Sequence, residues 1–150
     1  MNAAHLHLLV NHLPIVGSLM GFLLLLFATL LKKQELSKTV LGLFVIIGAT
    51  SGVAYLTGEP AEEFLENRPG IEEKYIEEHE EMAELALISS LATGVLSMGV
   101  LVLFRKRGFQ NKLLWVVLFS GLVTFFLMAK TGYLGGTISH PETRNEEVTP

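Results

Sequence analysis

Four apolar runs constrain this chain more than anything else in it. Residues 13–31, 40–56, 85–104 and 113–134 each approach the ~20 residues an α-helix needs to cross a bilayer core. The first three contain no charged side chain, and the fourth has only Lys130 near one end. In a chain of 150 residues, one soluble core has no use for four such segments. The expected class is all-α: an integral membrane four-helix bundle forming a single domain over residues 1–150. An acidic outer loop at 58–80 and a polar tail at 141–150 complete it.

The charges are segregated. Lys32, Lys33 and Lys38 lie between the first two runs, and Arg105, Lys106, Arg107 and Lys112 between the last two. Of fifteen acidic residues only Glu35 shares that side. Short loops rich in Lys and Arg stay in the cytoplasm. Both termini and the acidic loop are therefore expected outside, which is the periplasm for a bacterial inner-membrane protein. The start MNAAHLHLLVNHL has no basic region before its apolar run, so a retained first helix is expected rather than a cleaved signal. The chain has no cysteine, which leaves no thiolate metal site, iron–sulfur cluster or covalently attached haem. The lipid bilayer is the expected environment, and no nucleic-acid partner is expected.

Start and stop signals divide the chain further. Asn11 or His12 can cap the first span, with Pro14 in its first turn. If the helix begins before Leu8, Pro14 lies inside it, and His5 and His12 share a face. Gly58 and Pro60 stop the second span, and Pro60 can open a short helix through AEEFLEN, closed by Arg68-Pro69-Gly70. Gly135-Gly136 is expected to break the fourth span and leave His140 in a loop.

Between the second and third spans the sequence turns from acidic to apolar without losing helical spacing. Ile71, Tyr75, His79, Met82 and Ala86 form one stripe of a 3.6-residue helix. Glu73, Glu77, Glu80, Glu81 and Glu84 fall on the other faces. The spacing predicts one long helix that starts in water, ends in lipid, and holds His79 on its inward side. By a rise of ~1.5 Å per residue, His79 stands about 9 Å above Leu85, the first residue of the uncharged run. Small residues four apart (Gly17 and Gly21, Gly48 and Gly52, Ala86 with Ser90 and Gly94, Gly132 and Gly136) mark faces for close helix approach. Tyr55-Leu56-Thr57-Gly58 and Tyr133-Leu134-Gly135-Gly136 hint at a two-hairpin repeat that would set His12 opposite His79.

All five histidines, at 5, 7, 12, 79 and 140, fall at the outer ends of the runs. Ionisable groups near membrane depth are costly and usually functional, and neutral imidazole is a common metal ligand. His5 and His7, at the terminus, are expected to be solvated. Three settings suit the rest. One is b-type haem near the outer face, with His12 and His79 as axial ligands, His140 as substitute, and Tyr55 and Tyr133 lining the site. The second is a divalent transition metal (Zn, Cu or Fe) held by His12, His79 and His140 with Glu59, Glu63 or Glu80. The third is an accessory subunit without cofactor. The acidic outer face would attract cations, a basic soluble electron carrier or a larger respiratory complex. No HExxH motif, nucleophile elbow or phosphate loop is present, so catalysis by a stand-alone hydrolase has no support.

NHLPIVG at 11–17, the GxxxG of the second run with Thr57-Gly58 after it, and TGYLGGTISHPE at 131–142 carry a resemblance. Together they resemble an uncharacterised bacterial family of four-helix predicted membrane proteins, a domain-of-unknown-function family akin to small b-type membrane cytochromes. The resemblance implies a respiratory, redox-linked setting and functional positions at His12 and around His140. The acidic loop is longer than that family implies.

Overall fold

A computed structural model describes residues 2–65, 71–107 and 111–140. The expected turn at Arg68-Pro69-Gly70 and the tail at 141–150 lie outside the described residues. Five helices follow one another: α1 (Ala3–Leu30), α2 (Gln34–Leu56), α3 (Gly58–Leu65), α4 (Glu73–Arg107) and α5 (Asn111–Ser139). No strand occurs among the described residues. Four segments, Ala3–Leu30, Gln34–Leu65, Glu73–Phe104 and Lys112–Ser139, are long and apolar enough to cross a membrane. The chain is thus an all-helical, multi-pass membrane protein.

The four long helices close a ring. α1 packs on α2, α2 on α4, α4 on α5, and α5 back on α1. Glycine contacts show that neighbours run antiparallel. Gly48 lies against Ser90 while Gly94 lies against Phe44, and Gly132, late in α5, touches Ile15, early in α1. Within this ring α1 stands diagonally across from α4, and α2 from α5. The small α3 lies against α1 at the end of the ring where α1 begins and α5 ends.

The exterior is apolar. Leu9, Leu56, Val95, Phe119 and Phe126 are all more than half exposed, which suits contact with acyl chains and not with water. Inside, the two halves differ. Near the α1–α2 turn, Leu25, Leu41, Phe44, Val100, Leu114 and Val117 form an apolar core. Towards the other end the interior turns to hydroxyls: Ser51 bonds Ser90 at 2.8 Å, and Thr93 bonds Ser120 at 2.6 Å and Thr124 at 2.9 Å. In lipid such pairs join helices where apolar surface alone cannot. The small residues allow the approach: a Cβ on Gly48 would meet the Ser90 carbonyl oxygen at 3.3 Å, and one on Gly94 the Phe44 carbonyl oxygen at 3.3 Å.

The α1–α2 turn is closed by backbone bonds from Lys33 N–H to the Ala28 carbonyl (2.8 Å) and from Lys32 N–H to that of Thr29 (3.3 Å). This is the Schellman pattern, which needs a left-handed residue just past the helix. Lys32, at φ 54°, supplies it.

One helix end follows the second of the two starts the sequence allowed, and another differs from the sequence expectation. α1 starts at Ala3 with Asn2 as its cap, the Asn2 side chain accepting from His5 N–H at 2.9 Å. Asn11 and His12 are therefore inside the helix, and Pro14 is buried within it. α5 runs through Gly135-Gly136 to Ser139. Glycine costs a helix up to ~1 kcal/mol relative to Ala, but the helix continues here, and a Cβ at 135 would stand a tight 3.1 Å from His79 Cε1. The long helix α4 forms as the spacing predicts, though it begins at Glu73 rather than Ile71.

Candidate functional site

The extra turns at the start of α1 bring His7 into the bundle. His7, Asn11, Pro14 and Ser18 follow at i, i+4, i+7 and i+11, one inward stripe. On α4, His79, Ala83 and Ala86 repeat the spacing. The two imidazoles meet across the diagonal of the ring, with centres 6.3 Å apart and planes at 86°. They line a shared cavity of ≈ 50 Å³ with Asn11, Ser51, Tyr55 and Thr131, so all four long helices contribute to its wall. Pro14, Ile15, Ala86, Leu87 and Met128 make the remainder apolar.

Each ring is tied to the helix beside its own. His7 Nδ1 lies 3.1 Å from the Ala54 carbonyl oxygen and 3.1 Å from Thr57 Oγ1 on α2's C-terminal turn. His79 Nδ1 lies 3.0 Å from the Thr131 carbonyl oxygen on α5. A carbonyl oxygen only accepts, so Nδ1 carries the proton in both rings. Thr57 Oγ1 spends its own hydrogen on Ala54 O at 2.8 Å and is free to accept from His7. In neutral imidazoles this tautomer leaves Nε2 as a bare lone pair. No described residue hydrogen-bonds either Nε2.

Asn11 adds a third unmatched acceptor. Its Oδ1 is buried without a hydrogen-bond partner. Pro14 carries no N–H, so the helical bond its position would otherwise make to the Val10 carbonyl is missing. The cavity is thus lined by two imidazoles whose Nε2 atoms have no partner among the described residues and by the buried, unpartnered Oδ1 of Asn11, groups that can accept from a hydrogen-bond donor or bind a cation.

The sequence-derived candidates are placed as follows. His79 is in the site. His12 is on the exposed outside of α1, its Nδ1 bonded to the Leu8 carbonyl of its own helix, and the ring does not bring it to His79. His7, expected to be solvated, takes that place instead. His5 is exposed and bonds Asn2 Oδ1 at 3.0 Å. Tyr55 lines the cavity although it is partly exposed. Tyr133 is 66% exposed and does not line it, whereas its neighbour Gly132 does. His140 is exposed just past α5, its N–H bonded to the Gly136 carbonyl at 2.9 Å. Glu59, Glu63 and Glu80 are exposed, and none reaches the cavity. Among the described residues no three His, Asp, Glu or Cys side chains gather as a metal cluster.

The fit of the two cofactors separates on space. Two anchored imidazoles suit either haem iron or a single ion. Pockets that enclose ligands of haem size take roughly 300–1,000 Å³. The ≈ 50 Å³ here holds an ion or a few waters, and a haem does not fit unless the four helices move apart.

No family model, curated protein or solved structure matches the chain. The resemblance drawn from the short motifs at 11–17, 57–58 and 131–142 therefore has no support beyond those motifs.

Proposed function

We propose that this is a membrane metal-binding protein, with a transition-metal ion held between His7 and His79 on the axis of the bundle. One observation carries the reading. Both imidazoles donate Nδ1–H to a main-chain carbonyl of a neighbouring helix, which leaves Nε2 unprotonated on two rings that line one cavity. A ring that gives its other N–H to a carbonyl is oriented, fixed in tautomer and made a better donor to a metal. Imidazole suits Zn, Cu, Fe or Ni. If the ion is copper or iron, the centre can pass electrons, in keeping with a respiratory setting.

The orientation follows from the lysines. With Lys32, Lys33, Lys38 and Lys112 in the cytoplasm, the termini and the His centre face the outer side of a bacterial inner membrane. Exposed Glu59, Glu63, Glu77, Glu80 and Glu81 at that end give a negative surface suited to a basic soluble partner.

The test is elemental analysis of the full chain purified in detergent and equilibrated with Zn²⁺ or Cu²⁺. One ion per chain is expected, lost in His7→Ala and in His79→Ala and kept in His12→Ala. An ion that survives both of the first two substitutions would overturn the assignment. An absorption spectrum of the same protein separates the haem reading: a Soret band abolished by both variants would put haem where the ion is proposed, with the helices apart.

A further inference from the structure

We infer that the His7–His79 centre is an open site, in which the ion keeps a position for a small exchangeable ligand that Asn11 holds. The inference rests on the metal reading above and names what that metal binds: water at rest, replaceable by a small anion.

The protein supplies too few ligands to close a coordination shell. Two imidazoles reach the cavity, and no carboxylate or third histidine joins them among the described residues. Structural zinc sites are closed by four protein ligands, while sites that act on exogenous molecules leave a position to water. Space for that water exists. A cavity needs roughly 10–15 Å³ of this measure per water, and ≈ 50 Å³ is present.

Asn11 gives the water its place. Its Oδ1 is buried and lacks a donor, and it stands one turn from His7 on the same face of α1. Leaving such an acceptor bare is costly, so buried amides are normally satisfied. A metal-bound water answers both needs, giving its lone pair to the ion and a hydrogen to Asn11. Ile15, Ala86, Leu87 and Met128 make the rest of the wall apolar.

The experiment uses Co²⁺, whose visible spectrum reports its ligands, bound to the full chain in detergent and titrated with azide. In the wild type azide is expected to change the spectrum reversibly as it displaces water. Asn11→Leu removes the water's hydrogen bond, so Co²⁺ is retained and azide binds about tenfold more tightly. Asn11→Asp puts a carboxylate in reach of the ion as a third ligand, so Co²⁺ binds more tightly and azide more weakly. A wild-type spectrum indifferent to saturating azide would show a closed site. Equal azide affinity in all three proteins would remove Asn11 from it. Failure of the wild type to bind Co²⁺ at all is a separate result, which overturns the metal reading and this inference with it.

Discussion

The imidazole of His7 stands edge-on to that of His79, 6.3 Å from centre to centre, across the diagonal of a four-helix ring. The contact joins the two long helices that are not neighbours, and each ring is braced by a third helix: His7 by α2 through Ala54 and Thr57, His79 by α5 through Thr131. The pair therefore reports on the position of all four helices. Anything that loosens one brace should appear in ligand binding before it appears in the fold.

Thr57→Val tests the first brace. The hydroxyl accepts from His7 and holds the last turn of α2 through its bond to Ala54 O. Its loss leaves the ring a single acceptor and a wider swing. Substitutions in such supporting groups typically cost about 10–100-fold in metal affinity. The same range is expected here, measured by competition with a chromogenic chelator, with thermal unfolding in detergent little changed. Wild-type affinity in Thr57→Val would show that the brace does not orient a ligand.

Acidification should release the ion. Metal and proton compete for the same Nε2 lone pairs, so binding displaces protons and apparent affinity rises with pH. Affinity is expected to climb with pH until both rings are neutral in the metal-free protein, most steeply where both are protonated. His12→Ala should follow the wild-type curve, because His12 lies outside the ring of helices. A flat profile would mean that the ligands are not imidazoles.

The four spans were legible because each is a nearly unbroken apolar run, and lipid leaves such a run no alternative to helix. The water-to-lipid course of α4 was legible from its stripe. The partner of His79 was not. Three histidines precede the first span, and Asn11-His12-Leu13-Pro14 has the residues of a helix start, so His12 looked like the one beside the bundle. The deciding signal was further along. Apart from Thr29, the buried positions of α1 are Pro14, Ser18, Gly21, Leu25 and Ala28, spaced by three or four, and carried back they reach Asn11 and His7. The sequence pattern thus contained the inward face, but only a helix already begun at Ala3 puts His7 on it. Gly135-Gly136 misled for the opposite reason: its local preference is to stop a helix, and the need for room beside His79 lies on another segment.

Phe44 offers a test of packing away from the site. Its ring lies between α1 and α5, where a Cβ on Gly21 would meet it at 3.0 Å and one on Gly121 at 2.8 Å. Gly121→Ala overfills this space and should destabilise the bundle by about 1–3 kcal/mol. The ring is the obstacle, so Phe44→Leu should recover part of the loss when combined with Gly121→Ala, although alone it is destabilising. Unfolding of the two single variants and the double variant in mixed micelles gives the coupling. Additive losses would show that Gly121 is small for some other neighbour.

The adjacent glycines of α5 separate fold from site most cleanly. A Cβ at 135 would lie 3.1 Å from His79 Cε1 and 3.4 Å from its Nδ1, whereas a Cβ at 136 meets nothing within 4 Å. Gly135→Val must therefore push the imidazole off the Thr131 carbonyl that fixes its tautomer. Metal affinity is expected to fall at least about tenfold, by the loss of an orienting partner, while the bundle still forms. Gly136→Ala should leave affinity unchanged and, by helix propensity, raise stability by up to ~1 kcal/mol. Circular dichroism and chelator competition on both variants give the two readouts. If both lose metal equally, or neither does, room beside His79 is not the reason for glycine at 135.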